Sequence, residues 1–421
     1  MMGRGVGAIV GVRAHLLEAR LPAARAGDGV RVCARDALVA ARVAAVRGTR
    51  VALAPLAAPD AVAPGDRVEV HPDALALPLG TPLLGRAVDA AGVPLDGGPP
   101  VRGVRRPVCG VPAPPPGARR RCTGVFWTGV RAIDGPLALA RGARVGIFGG
   151  PGAGKSSLLE AIVGGAAADA SVVALIGERG REAERRLAAV GQRTALVCAT
   201  ADRPAAERVR AAEIGFAQAA ALAARGLDVL LVVDSLARVC AAAREIALAS
   251  GEPAGRGGYP PSVFAFLARL LESAGAFAAG SITLIATVLS DGADANDPVS
   301  EAARAALDGH LVLSERLARA GRFPAIDVAA SASRTLTDAV TPRHARAARL
   351  VRAAVAALDA ARDARSLGLD PAAGDPFLAR CVAAERALDG FLRQEERPST
   401  PEDTLTELLE LADTLDDGRL R

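Results

Sequence analysis

Arg144-Val145-Gly146-Ile147-Phe148 runs straight into Gly149-Gly150-Pro151-Gly152-Ala153-Gly154-Lys155-Ser156. The first five residues read as a short buried strand. The next eight fit G-x-x-x-x-G-K-[ST], and Ser156 to Val163 continues as a helix. Glycines let the backbone bend until several N–H groups point into one concavity, and the helix N-terminus adds its partial positive charge. Such a loop binds a nucleotide: Gly149, Gly150, Pro151, Gly152, Ala153 and Gly154 with Ser156 and Ser157 cradle the phosphates. Lys155 then reaches the β- and γ-phosphates, and the Ser156 hydroxyl ligates Mg²⁺. The bland alternative is a glycine turn ahead of an ordinary helix. Against it, a single one of the 51 basic residues is lysine, and it is Lys155. In a chain that otherwise uses arginine, this position calls for a compact ammonium on a flexible stem, which a planar guanidinium does not replace.

Outward from the loop, short apolar runs alternate with helical stretches. Val172 to Ile176, Thr194 to Cys198, Val229 to Val233 and Ile282 to Val288 read as strands, and the alternation predicts a mostly parallel sheet covered on both faces. Two of these runs end in carboxylates. Asp234 closes Val229 to Val233, and an Asp at that end of a strand beside a phosphate loop can hold Mg²⁺. Glu178 follows Val172 to Ile176, where ligands bind in open α/β sheets. It is a candidate for orienting an attacking water, whereas composition alone favours a solvent-exposed turn.

Before the α/β part, Val6 to Val12, Gly29 to Cys33, Leu38 to Val46, Arg50 to Ala54 and Asp66 to Val70 predict a small β-barrel. Residues 93 to 121 are rich in Pro, Gly and Arg and read as a connector, with Arg119-Arg120-Arg121 solvated. After Thr341 the strands give way to helices at Ala345 to Leu367, Pro376 to Gln394 and Thr404 to Leu415. The expected division is a barrel (1–75), a connector (76–129), an α/β core (130–341) and a C-terminal helical domain (342–421).

The 421 residues exceed one ordinary core, and 51% hydrophobic with 23% charged excludes a disordered chain. Lys plus Arg total 51 against 46 Asp plus Glu. This balance, with 3% aromatics, argues against a nucleic-acid partner. Six cysteines without a C-x-x-C pair, and four scattered histidines, read as neither a disulfide frame nor a metal site. Met1 to Ala14 does not read as a signal peptide. The uncharged run Ala274 to Ser290 reads as a helix end and a buried strand, so membrane contact is expected to be peripheral.

Several stretches together resemble one family. They are Leu84-Gly85-Arg86-Ala87-Val88-Asp89, Thr128-Gly129-Val130-Arg131-Ala132-Ile133-Asp134-Gly135, the phosphate loop, and Ile176-Gly177-Glu178-Arg179-Gly180-Arg181-Glu182. Ala199-Thr200-Ala201-Asp202-Arg203, Asp234-Ser235-Leu236-Ala237-Arg238, Gly258-Tyr259-Pro260-Pro261, Asn296-Asp297-Pro298, Leu307-Asp308-Gly309-His310 and Phe323-Pro324 to Ser333-Arg334 complete the set. Over about residues 5 to 395 the chain resembles the ATPases of bacterial type III protein secretion, relatives of the F-type ATP synthase catalytic subunit.

The resemblance implies a RecA-like P-loop core and a Mg²⁺-dependent ATPase that forms a homo-hexameric ring. Glu178 would be the catalytic carboxylate, Arg334 an arginine finger supplied to the neighbouring subunit, and Phe323 an aromatic near the adenine. Implied partners are cargo, chaperones and stalk or regulator proteins of the export apparatus. The implied place is the cytoplasm, peripheral at the cytoplasmic face of the inner membrane. The injectisome branch is favoured, on Thr128, Asp134 and Asn296-Asp297-Pro298. The flagellar export ATPase, a rotary synthase subunit and a ring-shaped nucleic-acid translocase are the alternatives. Phe264-Ala265-Phe266, Ser273 and Val239-Cys240 depart from the family pattern, as does a start close to the barrel. These departures put subunit and stalk contacts in question, not the phosphate chemistry. Pro398 to Arg421, acidic and helical, lies beyond the resemblance.

Overall fold

The structure is a computed structural model that describes residues 5–416 apart from 14, 109, 111–112, 290–296 and 396. Cys109, Pro112 and Asn296 therefore lie outside the described residues, as do both chain ends. The chain forms two compact units, one of residues 1–119, 169–282 and 296–306, the other of 120–168, 283–295 and 307–421.

The first unit opens with a closed six-stranded barrel: β1 (Val6–Arg13), β2 (Leu16–Arg20), β3 (Gly29–Cys33), β4 (Leu38–Arg47), β5 (Arg50–Pro55) and β6 (Arg67–Val70), in the order β1-β2-β5-β4-β3-β6. Pairing of Val6 with Glu69 joins β1 to β6 and removes the open edges. Ile9, Leu17, Ala19, Val30, Val32, Leu53 and Val68 fill the interior. Strand β2 is missing from the five strands expected. Its Leu17 and Ala19 alternate with Glu18 and Arg20, a period of two spread over only five residues.

In the same unit the strand Ala170–Glu178 lies between Thr194–Thr200 and Asp228–Asp234, all parallel, with Ala87–Val88 beyond Thr194–Thr200. All nine residues of Ala170–Glu178 are buried, as a strand covered on both faces requires. Helix Ala205–Ala223 packs closely on it. A Cβ on Gly215 would come within 2.8 Å of the Ala174 Cβ. The helix also anchors the connector. Buried Arg210 donates to the carbonyls of Leu75, Ala90 and Val108, and Gln218 exchanges two hydrogen bonds with the Gly80 backbone. Arg119 is not solvated as expected. It is half-buried and pairs with Glu272.

The second unit holds strands in the order Ser281–Leu289, Arg144–Gly149, Gly309–Leu313 and Ile326–Ser333. The first three are parallel and the last is antiparallel. The expected apolar run is thus a buried strand, preceded by a short strand Gly275–Phe277 that pairs with its start. After the short helix Leu336–Ala339 come Pro342–Ser366, Pro376–Leu392 and Pro401–Leu415. Pro342–Ser366 and Pro401–Leu415 start earlier than their apolar periodicity predicts. Thr341, Asp375 and Thr400 accept backbone N–H groups of the first turn, and proline occupies the first helical position in each case. Among the described residues no helix is long and apolar enough to cross a membrane.

Candidate functional site

In the second unit, Arg144–Gly149 delivers the chain into the glycine loop and helix Lys155–Gly165 leaves it. Gly152 and Gly154 have φ of 77° and 89°, backbone that favours glycine. Close approach matters at Gly150, whose Cβ would lie 2.5 Å from Glu315 Oε1. Lys155 Nζ donates to the carbonyls of Gly149 at 2.7 Å and Gly150 at 2.5 Å, so the ammonium lies over the loop backbone. Ser156 and Ser157 are exposed on the first turn.

Next to this turn is a cavity of about 390 Å³, lined by Gly129, Gly154, Ser157, Leu158, Phe323 and Gln394. That volume suits a small planar ligand. Phe323 is 49% exposed, and its ring edge lies 3.8 Å from where a Gly154 Cβ would be. The expected aromatic is therefore beside the phosphate loop and not in a core. The Thr128-Gly129 wall is supported from below by Asp134. Its carboxyl accepts from Thr128 N, Thr128 Oγ and Gly129 N at 2.7–3.1 Å. Burial pushes Asp134 up to about 7 against these donated hydrogen bonds.

In the first unit, Glu178 and Asp234 terminate adjacent parallel strands, with Leu175 opposite Asp234. They are 7% and 8% exposed, so Glu178 is not the solvent-exposed turn that composition favours. Arg238, in the first turn of helix Leu236–Ala249, forms an ion pair with Glu178 Oε1. Gly177, at φ 67°, makes room for it, since a Cβ there would stand 3.0 Å from Arg238 Cδ. Glu178 Oε2 is buried with no hydrogen-bond partner among the described residues. Burial above all, then the neighbouring carboxyls of Glu182 and Asp234, push Glu178 up to about 7.

Arg238 is the residue to which the sequence reading assigned no role. The available signal was Ser235 as an N-cap directly after a strand-ending Asp, which turns the residue three positions on back toward the strand ends. Arg334 follows the strand Ile326–Ser333 in the second unit. Its backbone N–H donates to Asp308 O at 2.9 Å. The side chain is exposed and makes no hydrogen bond or ion pair with a described residue.

Strand, glycine loop and helix with a base-sized cavity define a P-loop nucleotide-binding protein. Residues 129–333 match the family model of the ATP synthase alpha/beta family, nucleotide-binding domain. The chain is 41% identical to the type 3 secretion system ATPase of Pseudomonas syringae pv. syringae, over 98% of this chain and 95% of the relative. It is 42% identical to the flagellum-specific ATP synthase of Salmonella typhimurium, over 85% and 81%. Among solved structures it resembles the assembled ATPase EscN of the enteropathogenic E. coli type III secretion system, at 38% identity and TM-score 0.89, covering 96% of this chain and all of that one. EscN in complex with its central stalk EscO matches with TM-score 0.87 over the same shares. The chain belongs to the type III secretion system ATPase family, an ATP-hydrolysing branch of the ATP synthase alpha/beta proteins. The matches favour the injectisome branch, with the flagellar export ATPase as the lesser alternative.

Proposed function

We propose that this chain hydrolyses ATP with Mg²⁺ as a homo-hexameric ring and thereby energises protein export. The observation that carries the reading is Lys155. The sole lysine of the chain starts the helix after the glycine loop, its ammonium lies over the loop backbone, and a base-sized cavity fronted by Phe323 adjoins it. Residues 149–157 bind the phosphates, with Lys155 on the β- and γ-phosphates, and Phe323 stacks on the adenine. Ser156 and Asp234 would hold Mg²⁺ through their side-chain oxygens. When bound, Mg²⁺ neutralises charge on the transferring phosphoryl group. Glu178 orients the attacking water, which an Oε2 without a hydrogen-bond partner among the described residues leaves it able to do. Arg334, exposed and without a hydrogen bond or ion pair to a described residue, serves a neighbouring copy. An added guanidinium at the phosphoryl group is worth about 10³–10⁵ in rate.

The assembled state and the stalk partner of EscN support the ring and a stalk contact here. Cargo and chaperones meet the C-terminal helical domain, at the cytoplasmic face of the inner membrane, without nucleic acid. The four parts 1–75, 76–129, 130–341 and 342–421 are read as barrel, connector, ATPase core and helical domain. The test is Lys155→Arg, which keeps the charge and changes its shape. Nearly all ATPase activity should disappear while the circular dichroism spectrum stays that of the wild type. Turnover near the wild-type rate would overturn the reading.

A further inference from the structure

Three of the four chain segments that line the cavity beside the phosphate loop, far apart in sequence, meet at one residue. Gln394 follows helix Pro376–Leu392. Its backbone N–H donates to Phe323 O at 2.9 Å. Its Oε1 accepts from Arg131 N at 2.8 Å, and its Nε2 donates to Gly129 O at 2.7 Å and Arg397 O at 2.9 Å. A primary amide supplies both the acceptor and the two donors that this arrangement uses. A carboxylate of the same shape would face two carbonyl oxygens. The same junction reaches the last helix. Ser399 N donates to Gly129 O at 2.9 Å, and Arg131 pairs with Glu407 at 2.7 Å while donating to Arg393 O at 2.6 Å.

We propose that Gln394 is a positioning residue of the base pocket. It holds Gly129 and Phe323 at the spacing a purine needs, so that nucleotide affinity depends on the C-terminal helices. The inference rests on reading the 390 Å³ cavity as the base site. Gln394 hydrogen-bonds to pocket walls and not to the loop residues 149–156, so its removal should weaken ATP binding without slowing the chemical step.

The experiment compares the full-length wild type with Gln394→Ala, the isosteric Gln394→Glu, and Phe323→Ala. KM for ATP, kcat and inhibition by tripolyphosphate are measured, the last filling only the phosphate subsite. Losing two or three hydrogen bonds predicts a KM about tenfold higher in both Gln394 variants, with kcat nearly unchanged and tripolyphosphate inhibition as in the wild type. If Phe323→Ala raises KM and neither Gln394 variant does, the base site stands and the role of Gln394 is refuted. If Phe323→Ala leaves KM unchanged, the base-site reading itself fails. Should the Gln394 variants weaken tripolyphosphate as much as ATP, the residue supports the fold at large, and the proposal is overturned. Gln394→Glu, matched in size, keeps the test decisive if the alanine variant does not fold.

Discussion

The phosphate loop is built from backbone and solvent-facing side chains, whereas the Glu178–Asp234 cluster is built from buried charge. Lys155 rests on two carbonyls of its own loop, and Ser156 and Ser157 face solvent. Glu178 and Asp234 are both under a tenth exposed, and an arginine from the next helix pairs with Glu178. A phosphate-binding loop needs only donors and positive charge that a ligand can reach. A carboxylate that acts on water also needs its proton affinity adjusted, and burial beside other carboxyls does that. The two regions therefore respond differently to mutation and to pH.

The sharpest way to break that contrast is Glu178→Gln. The amide keeps size and hydrogen bonding but cannot polarise water as a carboxylate does. Hydrolysis should fall by about 10²–10⁴, with ATP binding retained because the phosphate loop is untouched. Equal loss of ATP binding, measured with a nonhydrolysable analogue, would show that the two regions are not separable. A smaller effect follows from charge state. With Glu178 pushed up to about 7, its active carboxylate form gains population as pH rises through that value. Turnover of the wild type should climb between pH 6 and 8, and the residual turnover of Glu178→Gln should be flatter over the same range. The smallest effect tests Asp134, the buried carboxyl that holds the Thr128-Gly129 turn. In Asp134→Asn the amide nitrogen meets donors from Thr128 and Gly129, which costs about 1–3 kcal/mol. Urea denaturation should show that loss. An unchanged midpoint would mean that Asp134 does not hold the Thr128-Gly129 turn.

The same contrast explains what the sequence made legible. The strand, glycine loop and helix around Lys155 could be read because they depend on local spacing, glycines at fixed offsets and one lysine. Strands such as Arg144–Gly149 and Asp228–Asp234 were readable as apolar runs for the same local reason. Strand β2 was not, since five residues with two charges carry too short a pattern. The burial of Glu178 was not readable either. It depends on Gly177 admitting the stem of Arg238, which pairs with Glu178 sixty positions away. The helix starts at Pro342 and Pro401 were encoded in Thr-Pro pairs, which mark a first turn better than apolar periodicity does. Arg334 is exposed and pairs with no described residue, so its role was legible only through the resemblance.

That last residue carries the central claim that the working site is completed between copies. The most direct measurement mixes Arg334→Ala, which keeps an intact pocket, with Lys155→Ala, which keeps an intact finger. Each variant alone should be nearly inactive at every protein concentration. Once native mass spectrometry has confirmed mixed rings, ATPase activity should partly return, because some interfaces then combine Lys155 of one copy with Arg334 of another. Mixed rings with no recovered activity would contradict the account and place Arg334 within its own subunit's chemistry or outside catalysis altogether.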